Sequence, residues 1–261
     1  MSTTDDLIVV LKKLRLSGVL QTLELRQRQA VEDQLALPEF LYRLLHDEVE
    51  RRDNKQLALR LRRASFEHDK TIEGFDFTFN PRIPKAKIID LAAGGFIERA
   101  EVALLLGPAG TGKSHLAQAI GHQACRRGHS VLFTPAHRML ASLRAARADQ
   151  SYDRTLLRFT SPDLLIIDDL GLRPLRDPEP EDLYEVIRHR YEHGAMVISS
   201  NRAVEEWYPL FGDALLASAA MDRLLHHAHV IEMTGDSYRN PSTRKAGGPS
   251  ASPPAVSREA R

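Results

Sequence analysis

Residues 107–114 read GPAGTGKS, a full match to the pattern G-x-x-x-x-G-K-[ST]. Gly107, Gly110 and Gly112 allow a backbone turn whose successive N–H groups point inward, a nest suited to phosphate oxygens. Pro108, Ala109 and Thr111 complete the loop. Lys113 supplies a point charge for the outer phosphates of a nucleotide, and the Ser114 hydroxyl is suited to ligate Mg2+. His115 follows in the first turn of a helix. The flanks are the ones this chemistry needs: an apolar run VALLL (102–106) before the loop and a helical stretch SHLAQAIGHQA after it. The helix N-terminus then adds its partial positive charge at the phosphate site.

A second apolar run, LLIIDDLG (164–171), ends in two carboxylates. Asp168 reads as the metal-side carboxylate and Asp169 as the group that polarises an attacking water. Phosphoryl transfer is mostly positioning and charge stabilisation, so two carboxylates, a lysine and a metal ion form a sufficient core. A third run, AMVISSN (195–201), puts Asn201 just past a strand end, in register to sense the terminal phosphate.

Adjacent strand ends must hold these groups, and the sequence supplies the strands. VALLL (102–106), SVLFT (130–134), DLLIID (163–168), AMVISS (195–200) and HVIEM (229–233) are short apolar runs bounded by turn or helix signals, as buried parallel strands are. Helical stretches lie near 113–127, 137–148, 180–193 and 213–227. The alternation predicts an open α/β sheet of parallel strands flanked by crossover helices.

Ahead of the sheet, residues 5–70 read as helical throughout. Leu7, Val10, Leu11 and Leu14 make one apolar stripe; Gly18 interrupts, and Leu20, Leu23 and Val31 resume it. Pro38 opens a second helix, with Leu41, Leu44, Leu45 and Val49 as its buried face and Leu57, Leu61 and Ala64 continuing it. Residues 71–84, with Gly74, Pro81 and Pro84, read as an extended linker, in which Phe75, Phe77 and Phe79 alternate as in a strand and pack on the core. The expected organisation is a helical N-terminal domain at 1–70, a linker and leading helix at 71–99, the core at 100–239 and a disordered Pro-, Ser- and Gly-rich tail at 240–261.

Bulk composition excludes several classes. The 261 residues are 43% hydrophobic and 27% charged, ordinary for a globular protein large enough to bury its own core. Thirty-six basic residues against 35 acidic ones leave a formal charge of +1, which names no partner. The lone cysteine, Cys125, excludes an intrachain disulfide framework and fits a reducing compartment. The N-terminus opens with acids rather than a basic segment and an apolar core, and no window approaches the length of a membrane span. A cytoplasmic protein with no membrane association is expected. His189, His193, His226, His227 and His229 invite a metal reading, but no cysteine joins them and 189–193 reads HRYEH, so packing roles are expected. Two basic clusters hint at nucleic acid: Arg51, Arg52, Lys55, Arg60, Arg62 and Arg63, and then Arg138, Arg144, Arg147, Arg154 and Arg158. Neither zinc-finger spacing nor a helix-turn-helix accompanies them, so binding without base readout is expected.

Together with AMDRLLHHAHVIEMTGDSYR (220–239) and SSNRAVEEW (199–207), the loop and the LLIIDDLG run resemble the IstB family. These are the transposition-helper ATPases encoded beside the transposase in one large class of bacterial insertion sequences. They are similar to the replicative helicase loader DnaC, and both groups are AAA+ ATPases. The resemblance spans residues 5–240. It implies a P-loop AAA+ core with a small all-α N-terminal domain, binding ATP and Mg2+. By the same resemblance Arg223, in the string DRL, matches an arginine finger that reaches the ATP of an adjacent subunit. Arg239, in GDSYR, matches a second motif arginine near the nucleotide or a subunit boundary. Self-association into a homo-oligomer on double-stranded DNA follows, with the transposase of the same element as partner and stimulator of hydrolysis. Asp169 departs from the pattern, since many such ATPases carry Glu there. Two alternatives stay open: a DnaC-like loader acting on single-stranded DNA, and an ATP-binding module whose hydrolysis is vestigial.

Overall fold

The computed structural model describes residues 3–235 together with Ser237 and Tyr238; Arg239 and the tail expected at 240–261 lie outside the described residues. In chain order the helices are α1 (Thr3–Lys13), α2 (Ser17–Glu32), α3 (Leu37–Ala64), α4 (Lys85–Ala92), α5 (Gly95–Glu98), α6 (Lys113–Arg126), α7 (Ala136–Ala148), α8 (Tyr152–Thr160), α9 (Glu179–Arg190) and α10 (Ala214–Leu225). A 3-10 helix spans Val204–Phe211. The strands are β1 (Val102–Leu106), β2 (Val131–Pro135), β3 (Leu164–Leu170), β4 (Ala195–Ser200) and β5 (Ala228–Glu232). All five expected strands form, and α8 and the 3-10 helix are additions to the expected elements.

Every strand pairing is parallel, in the order β2-β3-β4-β1-β5. β1, β3 and β4 therefore have neighbours on both edges and helices on both faces, which is why VALLL and AMVISS are buried at every position rather than alternately. One face packs on α4, α5, α6 and the end of α3; the other packs on α7 to α10 and the 3-10 helix. Strand order matters for function: β3, β4 and β1 are consecutive in the sheet, so whatever leaves their carboxyl ends meets in one crevice.

At the opposite end of the sheet, Arg190 closes α9 as a fully buried cation. Its guanidinium donates to the carbonyls of Phe159, Thr160, Pro162, Asp163 and Ala195. Burial lowers its pKa to about 10, so it stays charged at neutral pH.

The N-terminal helices depart from the expected burial. The second half of α3 lies along the sheet, where Leu57, Leu61 and the fully buried Ala64 join the core. Ser65, at φ 58, ends the helix, so residues 65–70 are not helical as expected. The first half of α3 packs on α2, and Leu11, Val19, Leu23 and Leu44 form a small separate cluster there. Leu7, Val10, Leu14, Val31, Leu41, Leu45 and Val49 are not buried; their exposures run from 39% to 79%. The reason is geometric. A helix facing one neighbour buries one strip, which on α3 carries Leu44 and Glu48, and Leu45 and Val49 lie roughly 100° further round. Gly18 lets α2 approach this strip: a Cβ there would sit 2.9 Å from the Glu48 Cα. The buried Glu48 carboxylate accepts from the Gly18 N–H and from Arg51 and Arg52, and the Arg51 bond above all holds its pKa near 2.

The linker is built from turns and not from an extended strand. The Asp76 carboxylate accepts from the Thr78 N–H, forming a local turn that breaks the Phe75–Phe77–Phe79 alternation. Phe75 is buried in the core as expected, whereas Phe79 is exposed and packs on Tyr238.

Candidate nucleotide site

The loop 107–114 leaves β1 and enters α6 through Gly112, which caps the helix at φ 97. Glycine is needed at Gly107 and Gly110 for two reasons. Both have positive φ, 142 and 84, and a Cβ would come within 2.1 Å of the Met233 carbonyl or 1.9 Å of the Ser237 Oγ. The chain after β5 thus lies directly against the loop. Its Met233 N–H donates to the Leu106 carbonyl at 2.7 Å, and its Tyr238 N–H donates to the Gly110 carbonyl at 2.9 Å. Lys113 Nζ donates to the Gly107 and Pro108 carbonyls, both at 2.7 Å, and the buried Thr111 hydroxyl donates to Pro108 as well.

Ala109, Gly110, Gly112, Lys113, Ser114 and His115 line a cavity of about 680 Å3, and Asp169 and Asn201 line it too. That volume falls in the range of small-molecule sites. Gly107 and Pro108 face an adjoining cavity of about 510 Å3, which also reaches Asn201. Asp168 is buried beside the loop. Burial pushes its pKa up, opposed by hydrogen bonds from Ser199 and Ser114 and by the Lys113 charge. Ser114 thus lies close enough to the Asp168 carboxylate to affect its proton affinity.

Several residues of the site were not singled out by sequence. Ser199 bonds the Asp168 carboxylate and the Asp169 N–H. Gln118 Oε1 accepts from the Glu67 and His68 N–H groups, each at 3.1 Å, and docks the linker on α6. His115 adds a bond between its Nε2 and the Thr71 carbonyl at 3.1 Å, and burial lowers its pKa. Phe75 meets the His115 ring edge-on, and the Tyr238 hydroxyl donates to the Asp76 carbonyl. Gln118 carried a signal as a polar residue on the buried side of α6, and Tyr238 adjoins Arg239 in GDSYR.

Arg223 is elsewhere. It sits on α10 with its guanidinium 5.5 Å from the Tyr184 ring centroid and 5.9 Å from that of Tyr191, and Nη1 donates to the Ala219 carbonyl. It does not line the cavity of its own chain. Arg239 lies outside the described residues.

The arginines and lysines of the two basic clusters are engaged to different degrees. Arg147 bonds the buried Asp182 and Arg144 lies 3.6 Å from the buried Glu179, so both are engaged in packing α7 on α9. Arg154 and Arg158 line a shallow surface depression on α8. In the first cluster Arg51 and Arg52 are held by Glu48, whereas Lys55, Arg62 and Arg63 are exposed. Of the histidines, His226 pairs with the Tyr191 hydroxyl and His229 with Glu101. Among the described residues no group of three or more His, Cys, Asp or Glu is arranged to hold a metal, and no helix is long and apolar enough to cross a membrane.

Comparison with known proteins bears on what occupies this crevice. The family model of the IstB-like ATP binding proteins matches residues 9–246. The chain belongs to that family. A Mycobacterium tuberculosis protein named for ATP binding in an insertion sequence is 43% identical over 230 residues, covering 88% of this chain and 92% of that protein. The protein of the same description from insertion sequence IS21 of Pseudomonas aeruginosa is 37% identical over 242 residues, covering 93% and 91%. Among solved structures, the DnaC helicase loader superposes with a TM-score of 0.51 at 19% identity, over 57% of this chain and 88% of that one. AMPPCP-bound DnaA from Aquifex aeolicus superposes with a TM-score of 0.56 at 20% identity, over 66% and 52%. At such identities the likeness establishes the fold, a P-loop AAA+ sheet, and the IstB-like family membership rests on the sequence match.

Proposed function

We propose that this IstB-like protein binds ATP in the 680 Å3 cavity, hydrolyses it when assembled on duplex DNA, and so assists the transposase of its insertion sequence in choosing a target. The observation that carries this reading is the convergence of three strand ends. The loop after β1, Asp169 of β3 with Asp168 buried beside it, and Asn201 after β4 meet around one cavity in a member of this family.

The residues divide the work. The loop N–H groups and Lys113 hold the phosphates, Lys113 exchanging its loop carbonyls for phosphate oxygens. Ser114 and Asp168 offer only oxygen donors, near one another beside the loop, and would hold Mg2+. When bound, that ion supplies charge neutralisation at the phosphate oxygens. Asp169 accepts a hydrogen bond from the attacking water, and Asn201 donates to the terminal phosphate from the β4 side. Arg223, which does not line its own cavity, acts on the nucleotide of an adjacent copy, an arrangement worth about 10³–10⁵ in rate and dependent on oligomerisation. Arg239 has a supporting role near the nucleotide or a subunit boundary. Duplex DNA is held without base readout through exposed arginines, and the protein acts in the cytoplasm.

The test is ATP turnover of the full chain alone, with duplex DNA, and with duplex DNA plus transposase. Stepwise stimulation is expected; turnover indifferent to duplex DNA and transposase overturns the reading. The DnaC likeness favours a second reading, a helicase loader, which single-stranded DNA would stimulate instead.

A further inference from the structure

Two adjacent carboxylates at a strand end repel one another and need a fixed backbone to keep separate tasks. Here the β3–β4 register slips between Ile167 and Leu170, and Asp169 adopts left-handed backbone at φ 58, a conformation residues with a Cβ disfavour. Turned away from the regular ladder, its N–H donates to Ser199 Oγ at 2.9 Å. The same hydroxyl donates its single proton to Asp168 Oδ1. Ser199 is fully buried on β4, so neither bond is exchanged for water. The neighbouring Ser200 does a different job: its Oγ donates to the Leu170 carbonyl at 2.7 Å and accepts from the Arg202 N–H, re-closing the ladder beyond the slip.

We propose that Ser199 is the positioning residue of the carboxylate pair. Its one hydroxyl commits an oxygen of Asp168 to β4, leaving the carboxyl turned to Ser114, and pins the backbone of Asp169 so that its side chain enters the cavity. Asp169 has a shorter side chain than Glu, so backbone placement determines how far its carboxylate extends. The effect on turnover rests on the ATPase reading above; the peg itself does not.

Thr and Val have the same shape and differ by the hydroxyl, so Ser199→Thr and Ser199→Val isolate it. Three quantities are measured: kcat of DNA-stimulated hydrolysis, affinity for a non-hydrolysable ATP analogue, and amide hydrogen exchange at Asp169 in nucleotide-free protein. The valine variant is expected to lose about 10- to 100-fold in kcat, the usual effect of deleting a buried partner of a site ligand. Its analogue affinity is expected to hold within about 3-fold, a split between chemistry and binding. Its Asp169 amide is expected to exchange faster, while the threonine variant stays near wild type in all three. Equal kcat in the two variants, or an Asp169 amide equally protected in both, overturns the proposal. If the extra bulk prevents folding, Ser199→Ala against wild type reads the same split. Wild-type protein that binds nucleotide yet never hydrolyses it defeats the ATPase reading, and exchange at Asp169 still decides the peg.

Discussion

The sheet and the N-terminal helices bury apolar residues on different terms. In β1 every residue of VALLL is covered, because strands flank it on both edges and helices on both faces. In the N-terminal cluster three helices share four buried apolar residues, and a carboxylate, Glu48, occupies the centre of the contact between α2 and α3. Leu41, Leu45 and Val49 form an exposed strip that nothing among the described residues covers. Chemistry that depends on fixed geometry sits on the first kind of scaffold, where each group is determined by many neighbours. The second kind is held by a few local bonds and presents apolar surface outward.

The contrast can be broken most sharply at Arg223, which belongs to the sheet's helical layer yet is proposed to act outside its own chain. Arg223→Ala is expected to keep ATP binding and lose about 10³-fold in DNA-stimulated turnover. Mixing it with Lys113→Ala subunits should restore part of the rate, each supplying what the other lacks; a dead mixture that still co-assembles refutes action in trans. Next in size, Lys113→Ala should weaken ATP binding about 100-fold, since a charge-assisted contact to phosphate contributes on the order of 3 kcal/mol. Asp169→Asn should bind normally and turn over slowly, and equal binding losses in the two variants would remove the division of labour between them. Leu45→Ser, on the uncovered strip, should leave nucleotide affinity unchanged in the same titration.

Within the N-terminal cluster, Leu44→Ala should cost about 2–5 kcal/mol by denaturant melting and Leu45→Ala under about 0.5, although both lie on the expected buried face. Glu48 adds a pH dependence. Its folded pKa, near 2, lies below the ordinary 4.5, so its contribution is complete above pH 4.5 and is lost as pH falls towards 2. Glu48→Gln should flatten the stability profile across that window, and an unaltered acid limb would deny Glu48 this role. Asp168 has the opposite sign, its pKa being raised by burial. Smallest is the DNA comparison. Removing both Arg154 and Arg158 should flatten log K against log salt by about 2 per subunit and weaken all duplexes alike. The same measurement on Arg60 and Arg62 asks whether the N-terminal helix faces DNA instead; an unchanged slope for the α8 variants moves the contact there.

What was legible from sequence follows from what is local. GPAGTGKS is contiguous, Asp168 closes the apolar run of β3 and Asn201 follows that of β4, so the three strand ends were readable together. The Asp76–Thr78 turn was also local, in D-x-T, but the alternation of the three phenylalanines masked it. Leu45 shows the limit of periodicity: spacing tells which residues share a helix face and not whether a neighbour covers it. Ser199 was beyond reach for another reason. Its role arises from a register slip between two strands about 30 residues apart in sequence, and no segment encodes a slip alone.

Arg190 gives the molecule a property best put mechanically. Its guanidinium joins the residues that lead into β3 to the first residue of β4, at the end of the sheet remote from the cavity. The two strands behave as the tines of a fork welded at the handle, with the carboxylate pair on one tip and Ser199 and Asn201 on the other. The joint lies some five residues below the tips and reinforces, from a buried position, the ladder that pairs the two strands. A lysine, with three donors and no planar fork, has too few arms to make that weld. A change of side chain at a tip would then leave this joint, and the pairing above it, in place.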